Sequence, residues 1–138
     1  MEITRAYVKS ILPHRDPEGH KGTFGKVYCL CGAVGYTGAP VLAASAAVRS
    51  GSGLVFLGVP KDIWPIVAVK CDSAMPSPLP SQQGKLALAA EDAVRARIDG
   101  CDAVLIGCGM GRSEESDVLT RRLIDMEKPL VLDADGIN

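Results

Sequence analysis

"CDAVLIGCGMGRSEESDVLTRRLIDMEKPLVLDADGIN", Cys101 to Asn138, decides the fold. It opens on a short apolar run, "CDAVLIG", that reads as a buried strand, and Gly107, Gly109 and Gly111 stop it. Ser113 then stands where a helix cap is wanted. Glu114 and Glu115 follow in the first turn, where the helix dipole favours negative charge. Leu119, Leu123 and Met126 form the inner face of that helix, and Pro129 opens a second apolar run, "PLVLD". Strands joined by a helical crossover lie parallel, and the crossover is right-handed.

The same alternation recurs upstream. "KVYCLCG" (Lys26–Gly32) is a first core strand, and "LVFLGVP" (Leu54–Pro60) is a second. Between them lies an Ala-rich helix that Thr37 is placed to cap and that ends near Gly51 and Gly53. Its small side chains favour close approach to a sheet. A further helix is expected over residues 85–98, where Leu86, Ala90, Val94 and Ile98 recur every four residues and Glu91 precedes Arg95 by four. Ile3–Leu12 forms a short helix on this reading. "KDIWPIVAVK" is ambiguous because of Pro65, and "SAMPSPLPSQQG" is extended. The expected fold is α/β, a three-layer arrangement with a mostly parallel sheet flanked by helices. Residues 27–31, 54–58, 103–107 and 130–133 are its neighbouring strands, and residues 1–138 make a single domain.

Composition narrows the function classes. Fifteen basic and sixteen acidic side chains leave a formal charge of −1, so nothing electrostatic favours nucleic acid or an anionic membrane. The longest apolar run, Ala39–Val48, is too short to span a bilayer. The first twelve residues carry charges throughout and lack the apolar core of an export signal, so the expected location is cytoplasmic. Five cysteines, an odd number, fit reduced thiols there, and Cys29 and Cys31 share one face of their strand. With only His14 and His20 besides, no metal site is expected.

Three loops follow strands and, in a parallel sheet, their ends meet at one edge. In "GAVGYTGAP" the glycines allow close ligand approach, and the next helix offers free N–H groups, although a plain turn explains them equally. "GCGMGR" resembles a dinucleotide fingerprint, but Arg112 occupies the place of the third glycine and Gly111 comes one residue early. Glu114 and Glu115 lie where a pyrophosphate would sit. A loop touching an uncharged part of a ligand, or a tight structural turn, fits better. In "DADGIN", Asp133 and Asp135 could bind Mg²⁺ through water, hold a ribose, position a base or cap a following helix. Lys21 in "HKGTFGKV" is either a phosphate partner or a solvated loop lysine.

Taken together, "HKGTFGKV", "YTGAPVLAASAAVRSGSGLV", "AMPSPL", "IGCGMGR" and "PLVLDADGIN" resemble the ADP-dependent NAD(P)H-hydrate dehydratases, enzymes of ribokinase-like fold related to carbohydrate kinases. The likeness runs from about Arg15 to Asn138. It implies a lyase that repairs nicotinamide cofactors by removing water from hydrated NADH or NADPH. The cost is met by ADP (or ATP) with Mg²⁺: the ring hydroxyl is phosphorylated and then eliminated. The resemblance places Ala39 and Gly109 against the hydrated cofactor, with Gly38 and Gly111 in the same two loops. It sets Asp133, Asp135 and Asn138 along the same cleft. Cys108 departs from the family's usual proline in G-P-G-x-G. The family's T-P-H-P-G-E-like and G-T-G-D-like motifs, the latter bearing the catalytic aspartate, are not found in these 138 residues. The implied picture is the N-terminal, cofactor-side portion of a longer ribokinase-like domain, inactive alone and, with a sheet edge and apolar faces uncovered, homo-oligomeric. Two other readings remain: a small-molecule kinase of the same fold, and a non-catalytic remnant that binds nucleotide or a partner.

Overall fold

The computed structural model describes residues 2–138. Five strands form one parallel sheet: β1 (Lys26–Leu30), β2 (Leu54–Pro60), β3 (Met75–Leu79), β6 (Ala103–Ile106) and β7 (Leu130–Leu132). A two-stranded hairpin, β4 (Ser81–Gln82) and β5 (Lys85–Leu86), lies apart from it. The sheet order is β3-β2-β1-β6-β7. The four expected strands are therefore neighbours, each within two residues of its expected limits. The chain builds outward from β1 in one direction, then returns to β1's other side and builds the opposite way.

That reversal puts helices on both faces. Along β1, Cys29 and Cys31 point into a core with Val55, Leu57, Val59, Ile63 and Val67, shared with α2 (Gly38–Arg49) and α3 (Trp64–Lys70). Tyr28 and Leu30 point the other way, into Val94, Ile98, Leu119 and Leu123 of α4 (Glu91–Asp99) and α5 (Glu114–Leu123). This is the period-two alternation of a sheet buried on both faces. The Ala-rich sequence of α2 allows the expected close seat: Ala44 is fully buried there.

Two local readings change and one ambiguity is settled. Thr37 is the first residue before α2, but it is itself helical and its side chain makes no cap bond. Ser113 does cap α5, accepting from the Ser116 amide, and the Ser116 hydroxyl answers the Ser113 amide. The helix expected over 85–98 starts only at Glu91. Leu86 and Ala90 are buried as the periodicity required, but Leu86 lies in β5 and Ala90 in a 3₁₀ turn. The early turns of that pattern are taken by the hairpin, a tertiary override of helix propensity. "KDIWPIVAVK" is resolved as α3, with Pro65 in its first turn, where a missing N–H costs nothing. Pro76 and Pro78 sit in β3, which pairs only with β2 and so has no ladder partner on its outer side.

Helix α1 (Arg5–Ile11) buries none of its residues. At the other sheet edge, β7 pairs only with β6, and Val131 and Ile137 are exposed there. No helix among the described residues is long and apolar enough to cross a membrane.

Leu57 is wholly buried between β1, α2 and α3, whereas Leu42 on α2 faces solvent. Leu57→Ala should lower the unfolding free energy by about 2–5 kcal/mol, the cost of a buried cavity. Leu42→Ala should change it by less than about 0.5 kcal/mol. Paired urea titrations measure both.

Candidate functional site

The sheet order reverses between β1 and β6. At such a point the loops leaving two adjacent parallel strands diverge to opposite faces, and a crevice opens at the carboxyl ends. Here the ladder continues into the loops: the Gly107 amide donates to Leu30 O (3.2 Å) and the Gly32 amide to Cys108 O (3.0 Å). Gly107 has φ +126°, and a side chain there would collide with the Asp133 carbonyl. Only glycine lets the β7 loop close against the β6 loop.

Gly109 fixes the next contact. Its φ is +63°, and a β-carbon would fall 2.7 Å from the Ala39 methyl and 3.1 Å from Tyr36 Cβ. The loop after β6 therefore lies directly on the first turn of α2. The loop after β7 is tied to the same place from the other side. The Gly111 amide donates to Asp135 Oδ2 (2.9 Å), and the Cys108 thiol donates to Asp133 Oδ2 (3.3 Å). Asn138 Nδ2 donates to Ala134 O (3.1 Å), folding the end of this loop back on itself. Ala134, between the two aspartates, has φ 44°. A non-glycine residue in that region costs roughly 1–3 kcal/mol and persists only where its surroundings impose it.

Six of the seven residues singled out from sequence lie together in one strand-end cluster. Ala39, Gly109, Gly111 and Asp135 are half-buried in it, and Gly38 and Asp133 are exposed on its rim; Asn138 is exposed and bonds only within its own loop. Lys21 is elsewhere. Gly53, whose β-carbon would collide with the Lys21 carbonyl, precedes β2, so Lys21 lies at the amino ends of the strands, the opposite edge of the sheet.

Three further features of the cleft were not legible at first sight. Val34 and Tyr36 are exposed in the first loop and offer apolar and aromatic surface. The β4–β5 hairpin forms a side wall: the Val34 amide donates to Gly84 O (2.8 Å), and Lys85 Nζ to Arg112 O (2.6 Å). Its two-residue turn, Gln83 and Gly84, has positive φ at both positions. The dipeptide Gln-Gly between two short strands was the available signal for such a turn. Third, Cys31 lies buried beneath the cleft floor against Cys108. Of this pair Cys108 is the more acidic. A hydrogen bond from Cys31 favours its thiolate, against burial and the Asp133 carboxylate, and the same bond with burial holds Cys31 well above the ordinary thiol value.

Chemically, the cluster can position a ligand with backbone groups, carboxylate acceptors and an apolar lip. Among the described residues no three His, Cys, Asp or Glu side chains gather to hold a metal ion. Asp133 and Asp135 each have one oxygen engaged with the β6 loop.

The α/β fold is shared with a protein of the ribokinase-like class. A ribokinase-like superfamily protein from Enterococcus faecalis superposes with a TM-score of 0.79 at 20% identity, covering 98% of this chain and 45% of its own. The family is set by sequence: residues 27–138 match the profile described as NAD(P)H-hydrate dehydratase, and the chain belongs to that family. The bifunctional NAD(P)H-hydrate repair enzyme of Moorella thermoacetica is 38% identical over 138 residues, 99% of this chain and 26% of the relative. The ADP/ATP-dependent NAD(P)H-hydrate dehydratase of Bacillus subtilis, co-crystallised with ATP/Mg²⁺, is 28% identical with a TM-score of 0.76, covering 96% of this chain and 45% of its own. The chain thus spans about a quarter of that repair enzyme and just under half of these solved chains.

Asp135→Ala removes the acceptor of the Gly111 amide. A bond to a charged acceptor contributes about 1.5 kcal/mol or more, so exchange of the Gly111 amide with deuterium should accelerate roughly tenfold. Amide exchange followed by NMR reads this directly, with the Val104 amide in the sheet interior unchanged.

Proposed function

We propose that this chain provides the hydrated-cofactor side of an ADP- or ATP-dependent NAD(P)H-hydrate dehydratase. The observation that carries the reading is the meeting of three strand-end loops at the β1/β6 reversal, in a chain of this family. Hydrated NADH or NADPH lies across the lip formed by Tyr36, Gly38 and Ala39, with Gly109 and Gly111 giving room for close approach. Asp133, Asp135 and Asn138 supply acceptors and an amide along the far wall. The nucleotide, when bound, supplies the phosphoryl group that makes the ring hydroxyl a leaving group. The name of the Bacillus subtilis relative and its co-crystal with ATP/Mg²⁺ support ADP or ATP with Mg²⁺ as the second reactant. With no cluster of metal ligands among the described residues, Mg²⁺ would arrive on the phosphates.

In this reading residues 1–138 form the amino-terminal part of a longer ribokinase-like domain. Support comes from the matching extent: nearly all of this chain aligns to less than half of each solved relative described above. The catalytic aspartate and the anion-binding loop belong to the remainder. A cytoplasmic setting follows from the substrate. The one-sided pairing of β7 and the exposed Val131 and Ile137 support association, either with that remainder or between copies.

The test uses hydrated NADH, ADP or ATP, and Mg²⁺, with recovery of the dihydronicotinamide absorbance as readout. The 138-residue chain alone should show no turnover, and a form extended to the length of its relatives should turn over. Losing one oxyanion donor costs on the order of 10²–10³ in rate, and in this reading the whole anion site belongs to the remainder. In the extended form, Gly109→Val should raise KM for hydrated NADH with an unfolding midpoint still in the folded range. Comparable turnover by the short chain, or an unchanged KM, contradicts the assignment.

A further inference from the structure

Nothing in the proposed reaction uses a thiol, yet two of the five cysteines meet at the floor of the cleft. Cys31 is the first residue after β1, and Cys108 lies two beyond the end of β6. The β1–β6 register sets Leu30 opposite Ile106, so Cys31 is level with Gly107 and one residue short of Cys108. With strands about 4.8 Å apart and about 3.3 Å of rise per residue, the two Cα atoms are roughly 6 Å apart. That is within the span of a disulfide.

Direction matters as much as distance. In a regular strand Cys108 would share the face of Ile106, on the α4–α5 side. The positive φ of Gly107 breaks the alternation, and Cys108 instead packs with Cys29, Cys31 and Leu105 on the α2–α3 side. The two sulfur atoms are thus brought to one face. Their exposures differ: Cys31 is fully buried, while Cys108 is half-exposed on the cleft side, against Asp133. An accessible thiol backed by a buried one is the arrangement of an attacking and a resolving cysteine.

We propose that Cys108 and Cys31 form a hydroperoxide-reactive thiol pair that closes reversibly to a disulfide beneath the cleft. The Cys108 sulfur attacks one peroxide oxygen, the O–O bond breaks, and the other oxygen leaves as water or an alcohol. Sulfur is oxidised to the sulfenic acid by two electrons while the peroxide is reduced. The Cys31 sulfur then attacks the Cys108 sulfur, the S–O bond breaks, and the hydroxyl departs as water with the Cys31 proton. The sum is two thiols and one hydroperoxide giving one disulfide, one alcohol or water, and one further water. Closure withdraws the Cys108 sulfur from Asp133 and pulls the loop that carries Gly109 toward β1. The greater acidity of Cys108 makes it the attacking partner. This chemistry does not depend on the dehydratase reading.

Cys71 is an internal control. It is also half-exposed, but its thiol is pushed up, first by burial and then by Asp72. The experiment treats the 138-residue chain with hydrogen peroxide, quenches at intervals, counts free thiols and maps peptides by mass. The expected course is a fall from five thiols to three, a peptide pair joined through Cys31 and Cys108 and lighter by two hydrogens, and full return with dithiothreitol. In Cys31→Ala the cross-link should vanish and a sulfenic acid at Cys108 should be trapped by dimedone. In Cys108→Ala both should vanish while Cys71 reacts as before. Oxidation of Cys71 as fast as Cys108, or loss of thiols without the Cys31–Cys108 peptide, overturns the proposal. A cross-link that forms only between two chains also overturns it.

Discussion

The pairing of β1 with β6 is the contact on which the rest depends. It joins residues 27–30 to residues 103–106, and β2, β3, the hairpin and α4 all lie in the chain between the two partners. It is also where the sheet changes direction of growth. One flank carries the α2–α3 core and the other the α4–α5 core, and β1 contributes alternate side chains to both. A crevice at its carboxyl end follows from topology before any side chain in the loops is considered.

Glycines then turn the crevice into a site. Gly107 lets the β7 loop close on the β6 loop, and Gly109 lets the β6 loop lie on the first turn of α2. The aspartates lock the arrangement through Gly111 and Cys108 rather than standing free. The cost is visible in the left-handed backbone at Ala134. Such a site suits positioning and shape recognition. The Bacillus subtilis relative, of which this chain covers 45%, is an ADP/ATP-dependent NAD(P)H-hydrate dehydratase co-crystallised with ATP/Mg²⁺.

Most of this organisation was legible in the sequence because it is local. The run from Cys101 to Asn138 carries its own strand, cap, helix and second strand; both strands form within two residues of their expected places and Ser113 caps, but α5 ends at Leu123, and Met126, expected on its inner face, packs against the core from beyond the helix end. Ser113 capped as read because its partner lies three residues away. The failures involve distant neighbours. Leu86 and Ala90 kept their helical spacing and their burial, but contacts with α5 and the first loop drew residues 85–90 into a hairpin and a turn. Lys21 stood in a motif that resembles the family yet lies at the opposite edge from the cleft. Cys31 and Cys108 are far apart in sequence, and only the parallel register with the turn at Gly107 brings them together.

In the proposed reading, three loops at one end of the β1–β6 pair make a single surface for hydrated NAD(P)H. The most direct measurement is an amide chemical-shift titration of the 138-residue chain with hydrated NADH. The expected shifts saturate together at Gly35–Ala39, Gly107–Gly111 and Asp133–Asn138, with Val34 and Gly84 among the neighbours that follow. Shifts centred on Lys21 and Gly53 at the opposite edge, or none in the three loops at saturating ligand, would contradict it.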